Sequence, residues 1–252
     1  MGKRIAVCGP IGAGKSYFLK SYSGCAVILE KFDKKILKTF YRCFGEKPFV
    51  MNVLTGLLSI FAFPSIKYFI ADTLFQFFAF IAISIILFII FDTIEKYRKE
   101  RIQHICFRTQ MMFVSERVKN AQGVNDGNVI FDRSPEEDFI FASMHKKNGN
   151  ITESDFGIYK NFFDTALKLL PPIDHYIFIK TTPQICFDHV QSRIKEKKER
   201  GEDTEGEEGI TMKYLEELHI EYAEWVNTKK HAIITIAKTD ELKGVIESLL
   251  KK

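Results

Sequence analysis

Disulfide frameworks, paired metal-binding cysteines and a strong charge of either sign are all missing from this sequence. Its five cysteines, Cys8, Cys25, Cys43, Cys106 and Cys186, are odd in number and scattered. No C-x-x-C pair occurs, which removes the common zinc and dithiol-redox arrangements and predicts reduced thiols and a cytoplasmic protein. The 36 Lys and Arg exceed the 32 Asp and Glu by a net charge of only +4. That excess is mixed along the chain, so no nucleic-acid partner is expected. No charged-then-apolar leader precedes the first strand-like run, so no signal or transit peptide is expected. Ala6 stands where a myristoylated chain prefers Ser or Thr. Internal repeats are also lacking.

What is present is a globular composition. The 252 residues are 46% hydrophobic and 27% charged, enough for one domain, 1–252, to bury a sizeable core. Short β-rich runs, Arg4 to Cys8, Cys25 to Glu30, Asn128 to Asp132, His175 to Lys180 and Ala232 to Ile236, alternate with longer helix-like segments. This order predicts βαβ units and a doubly wound α/β fold around a five-stranded parallel sheet. Lys195 to Glu208 is rich in charge and Gly without apolar spacing, as in a solvated loop or flap.

One stretch breaks the pattern. From Phe49 to Phe91 only Lys67 and Asp72 carry charge. A membrane span needs about 20 apolar residues; Thr73 to Phe91 meets that length and Phe49 to Ser65 falls slightly short. A helical insertion at 49–92 follows, either a transmembrane hairpin turning near Pro64–Lys67, a packed helical pair, or sequence foreign to the mature protein. In the hairpin reading, Lys47, Lys96, Arg98, Lys99 and Arg101 flank its cytoplasmic side.

The segment Gly9-Pro10-Ile11-Gly12-Ala13-Gly14-Lys15-Ser16 fits G-x-x-x-x-G-K-[ST] between a strand and a helix. In that arrangement Gly9, Gly12 and Gly14 let backbone N–H groups approach phosphate oxygens. Lys15 neutralises β/γ charge, and Ser16 ligates Mg²⁺. A bound nucleoside triphosphate is therefore expected. Glu30 and Asp132 end the second and third strands, and Arg133 follows at once. Ligands of open α/β sheets lie beyond the carboxyl ends of the strands, so both acids are expected beside the phosphate site. No Asn/Thr-Lys-x-Asp guanine-reading element is present, which argues against a GTPase.

These residues resemble the deoxynucleoside kinase family, which includes deoxycytidine, deoxyguanosine and deoxyadenosine kinases. The likeness rests on the P-loop, on Glu30, and on Phe107-Arg108-Thr109-Gln110-Met111-Met112-Phe113 with Arg117. It continues in Asp132-Arg133-Ser134 with Asp138, in Thr181-Thr182-Pro183, and in Met212-Lys213-Tyr214-Leu215-Glu216-Glu217-Leu218-His219 to Trp225. The resemblance implies ATP-dependent phosphorylation of a deoxynucleoside 5′-hydroxyl, with Glu30 as general base and Arg133 and Lys15 holding phosphate charge. Ser16 and Asp132 would hold Mg²⁺. Gln110 would pair with the nucleobase, and the Arg117–Asp138 pair implies deoxyadenosine, deoxyguanosine or deoxycytidine rather than thymidine. Residues 193–209 resemble the family's lid, with Arg193 and Lys195 as its phosphate cations, His189 where an Arg is usual, and Arg200 as a further cation. Glu207 falls at the place of the acid on the sugar 3′-hydroxyl. The Tyr that shares this hydroxyl is Tyr41 or Tyr97, with Tyr41 favoured. A homodimer is expected, and membrane association through 49–92 stays open. The competing reading is a non-catalytic kinase-fold membrane subunit or scaffold. Intact Lys15, Glu30 and Arg133 speak against it.

Overall fold

The computed structural model describes residues 2–30, 34–45, 73–122, 127–229, 233–236 and 238–251. Five strands form one sheet: β1 (Arg4–Cys8), β2 (Ala26–Ile28), β3 (Val129–Asp132), β4 (His175–Ile179) and β5 (Ile233–Ile236). They lie in the order β2-β3-β1-β4-β5, and every pairing is parallel. The doubly wound prediction is met. Parallel strands are covered on both faces, and β1 and β3 accordingly have apolar interiors, Ile5 to Cys8 and Val129 to Phe131, all buried, with the buried Asp132 at the end of β3. Each expected strand is present, shortened by up to two residues at an end, and Ala232 lies outside the described residues.

Around the sheet run α1 (Lys15–Ser21), α2 (Lys34–Gly45), α3 (Thr73–Gln122), α4 (Asp138–Lys147), α5 (Glu153–Lys168), α6 (Pro183–Glu199), α7 (Glu205–Glu208), α8 (Met212–Thr228) and α9 (Leu242–Lys251). Local chemistry starts several of them. Thr152, Thr182 and Thr211 each accept a backbone N–H from the first turn, and Pro183 occupies the opening position of α6, where its missing donor costs nothing.

The chain divides into two compact units, 1–45 with 103–252, and 46–102. In the first, Ala6, Cys8, Val129, Phe131 and Tyr176 form a core on the sheet, with Trp225 packed against it. Register sets the site: Val7 lies opposite Asp132 on one side and Ile177 on the other, and Ile28 lies opposite Phe131. The carboxyl ends of β1, β2 and β3 therefore open on the same edge.

The expected insertion, 49–92, falls in the second unit. Its first leg, Phe49–Ser65, and the turn at Pro64–Lys67 lie outside the described residues. Its second leg opens a 50-residue helix, which starts at Thr73 and continues through Asp92, Glu95, Lys96 and Arg98 to Gln122. Among the described residues no helix is long and apolar enough to cross a membrane, so the transmembrane assignment gains no support. Along this leg Ile83, Ile86, Phe88 and Ile89 are all more than half exposed.

Candidate active site

The loop after β1 wraps closely around the start of α1. Gly12 adopts φ +83°, and a Cβ there would come within 2.3 Å of the Cys186 carbonyl oxygen, so the turn admits no side chain. Lys15 is buried, and its ammonium donates to the carbonyls of Gly9 at 2.6 Å and Pro10 at 2.9 Å. Burial, reinforced by the neighbouring Arg133, pulls its pKa down to about 8. Ser16 Oγ donates to Asp132 Oδ2 at 2.5 Å, while Asp132 Oδ1 is buried with no hydrogen-bond partner among the described residues. A hydroxyl and a free carboxylate oxygen suit a hard cation that keeps waters and phosphate oxygens as its other ligands. No cluster of three His, Cys, Asp or Glu able to hold a metal occurs among the described residues.

Beyond the strand ends lies a chain of charges, buried at Arg133 and Asp138 and partly buried at Glu30 and Arg117. Arg133 Nε pairs with Glu30 Oε1 at 2.9 Å, and Arg117 Nη2 bonds the same oxygen. Arg117 Nε reaches Asp138 Oδ1 at 2.6 Å, and its Nη1 donates to the Asp132 carbonyl at 3.3 Å. Two carboxylates in one network are thus driven apart. Burial pushes Glu30 upward, but the Arg117 and Arg133 guanidiniums and Lys15 outweigh it and hold its pKa below the ordinary value. Burial raises Asp138 to about 6 against the pull of Arg117. Such a split of environments separates a group that is ionised in any working condition from one that titrates near it.

Arg133 carries more than one partner. Its Nη1 donates to the Gly9 carbonyl at 2.8 Å and to the Tyr222 hydroxyl, and lies 3.5 Å from Glu137 Oε1. Its φ of +77° is the only positive value at a non-glycine among the described residues. A bulky residue held there costs about 1–3 kcal/mol and persists only where its surroundings over-determine it. Sequence reasoning missed two of those surroundings. Glu137, fully buried, accepts from the Gly9 N–H at 3.1 Å, the Ser134 N–H at 2.8 Å and the Tyr222 hydroxyl at 2.7 Å. The Ser134-x-x-Glu137 spacing, that of a capping box, was the available signal. Tyr222 offered none, since its neighbours in sequence are ordinary helix residues.

Of the expected substrate residues, Gln110 lies on α3 fully buried, with both amide atoms unpartnered among the described residues. A buried amide that is left open costs about 1–3 kcal/mol, which a ligand bonding both its donor and its acceptor would recover. Tyr41 is buried on α2, and the charges of Arg133, Glu30, Arg193 and Glu207 all reach its hydroxyl. Tyr97 is 70% exposed, in the other unit. The expected flap is more ordered than its composition suggested: α6 runs to Glu199, and α7 packs on α2. At Gly209 a Cβ would meet the Tyr41 carbonyl oxygen at 2.6 Å. Glu207 is held by Arg193 at 2.7 Å and by Lys197, which the sequence reading did not name, at 2.5 Å. Lys195 is exposed, and Arg200 pairs only locally with Glu202. His189 Nδ1 lies 2.7 Å from the Gly12 carbonyl oxygen, so this residue faces the P-loop.

The family model described as deoxynucleoside kinase matches residues 90–249. Among curated proteins, deoxycytidine kinase 2 of Gallus gallus is 33% identical over 104 residues, covering 40% of this chain and 36% of that protein. Human deoxycytidine kinase is 25% identical over 163 residues, covering 58% of this chain and 56% of its own. These alignments thus span only about a third to a little over half of the relatives' length. Among solved structures, deoxyadenosine kinase from M. mycoides with bound dCTP superimposes with a TM-score of 0.60 at 15% identity, covering 98% of each chain. The same enzyme with bound dATP gives 0.59 at 16% identity, covering 98% of this chain and 99% of that one. At these identities the structures establish the fold.

Proposed function

Because the chain belongs to the deoxynucleoside kinase family, we propose that it transfers the γ-phosphoryl group of ATP to the 5′-hydroxyl of a deoxynucleoside. One observation carries this reading. A carboxylate, Glu30, is held by two guanidiniums at the strand ends that also present the P-loop, where a hydroxyl acceptor and a triphosphate donor would meet. Glu30 accepts the 5′-hydroxyl proton as the new O–P bond forms and the bond to the β-phosphate oxygen breaks. Lys15 leaves the Gly9 and Pro10 carbonyls for the donor's phosphates. Arg133 stabilises charge on the transferred group while keeping Glu30 in place. Ser16 and Asp132 would hold Mg²⁺, which would neutralise charge on the donor phosphates. Residues 193–209 form the lid, with Arg193 and Lys195 as its cations, and Tyr41 and Glu207 receive the sugar 3′-hydroxyl. A homodimer belongs to the same reading. A non-catalytic scaffold is the weaker reading, having no chemical use for Lys15, Glu30 and Arg133 together.

The test is a phosphorylation panel of deoxyadenosine, deoxyguanosine, deoxycytidine and thymidine with MgATP. Turnover of one or more of the first three is expected; a folded protein inactive on all four would favour the scaffold. The panel also tests the pocket. Arg117→Met with Asp138→Ala removes the polar pair that selects amino- and oxo-bearing bases, so the ratio of kcat/KM values should shift toward thymidine. Absolute turnover should fall as well, because Arg117 also clamps Glu30. An unchanged ranking would take the pair out of base recognition.

A pH dependence follows from the same network. Glu30 stays ionised well below neutrality, so it imposes no acid limb near pH 6. Asp138 gains a proton as pH falls through about 6 and then loses its pairing with Arg117. The nucleoside KM should therefore rise below about pH 6 while kcat stays level. A profile in which kcat carries the limb instead would put Glu30, not Asp138, in that range. The stability effect has the opposite sign: an acid raised above its unfolded pKa of about 3.9 is stabilised by protonation. Asp138's contribution thus declines as pH rises from about 4 to 6.

A further inference from the structure

Tyr159, on α5, has no role in the reaction as described above, yet it is built into the same corner of the fold. It is fully buried, and its ring is stacked between Phe156 at 6.2 Å and Phe163 at 5.8 Å. It packs in the cluster that holds Val114 and Val118 of α3 and Phe139 of α4, the immediate chain neighbourhood of Arg117 and Asp138. Its hydroxyl has no hydrogen-bond partner among the described residues, and neither does Asp138 Oδ2. A donor and an acceptor are thus both buried and open in one small region, which is costly unless something joins them. Burial first, and then the negative charge of Asp138, keep the phenol protonated, so it can serve as a donor.

We propose that Tyr159 is a specificity-determining positioning residue, whose hydroxyl donates through one bridging water to Asp138 Oδ2 and so orients the Arg117–Asp138 pair toward the nucleobase. This rests on the kinase reading and deepens it. The aromatic stack fixes the ring, so the hydroxyl is presented without a search through rotamers. Asp138 Oδ1 is already taken by Arg117, and the carboxylate is then held at both oxygens. The Arg117 guanidinium is already held by Glu30 and the Asp132 carbonyl, so the Asp138 carboxylate is the member of the pair that a second hydrogen bond would fix.

Tyr159→Phe keeps the ring and its stacking and removes only the donor. Its unfolding midpoint should be unchanged, and kcat should stay within about twofold. The KM for the preferred nucleoside should rise about tenfold, the weight of one hydrogen bond to a charged group, and the margin over thymidine should shrink. On an Asp138→Ala background the same change should add nothing. Nucleoside affinity, followed through the fluorescence of Trp225, gives a readout independent of turnover. Unchanged KM, affinity and ranking in an active Tyr159→Phe protein would overturn the proposal, as would an equal loss on the Asp138→Ala background. A wild-type protein that binds nucleosides but phosphorylates none would sink the kinase reading alone, and Tyr159 would then stand or fall on the affinities.

Discussion

Glu30→Gln should lower kcat by roughly 10²- to 10⁴-fold, the span observed when a positioned general base is removed, while leaving nucleoside triphosphate binding close to that of the native protein. The amide keeps the size of the side chain and one oxygen to accept from Arg117 and Arg133. It cannot take a proton from the 5′-hydroxyl. The P-loop, whose contacts run through Gly9, Pro10 and Lys15, is untouched by the change. Stability should fall little, by about 1–2 kcal/mol, because each arginine keeps a second carboxylate, Asp138 for Arg117 and Glu137 for Arg133. Thermal unfolding and nucleotide binding, measured beside turnover, separate lost chemistry from lost fold. Full activity in this variant would end the assignment of Glu30 as base.

Arg133→Ala should do more, and to both properties. Its guanidinium sits among Glu30, Glu137, the Gly9 carbonyl and the Tyr222 hydroxyl, and over the Phe141 ring at 5.1 Å. Removing one partner from a buried ion pair typically costs 3–5 kcal/mol, a large share of the roughly 5–15 kcal/mol by which domains are stable. A marked drop in the unfolding midpoint is expected, together with loss of detectable phosphorylation. Arg133→Gly provides a control, because it relieves the left-handed backbone at φ +77°. It should unfold about 1 kcal/mol later than Arg133→Ala and be equally inactive. Arg133→Lys keeps a charge without the planar fork, so it should recover part of the stability and little of the turnover. Native-like stability and turnover in Arg133→Ala would show that the network is dispensable.

Much of the molecule is written locally. The P-loop spacing and the apolar runs of the strands each depend on residues within a few positions of one another, so the sequence alone showed them. The continuity of α3 was not read from sequence, although no Gly or Pro interrupts Thr73 to Gln122. The pairing of charges could not be read this way. Arg117 and Glu30 are 87 residues apart, Gly9 and Glu137 are 128 apart, and Tyr222 meets Arg133 across 89. Sequence supplied Glu30, Arg117, Arg133 and Asp138 as separate candidates. The strand order β2-β3-β1, the contact of Arg117 on α3 with the Asp132 carbonyl and that of Tyr222 on α8 with Arg133 decided that they share one network and that Glu137 and Tyr222 complete it. The physical reason is that a strand or a cap is specified by short-range sterics and hydrogen bonds. Which carboxylate faces which guanidinium, and with it the opposite shifts of Glu30 and Asp138, exists only once the sheet has assembled and water has been excluded from between them.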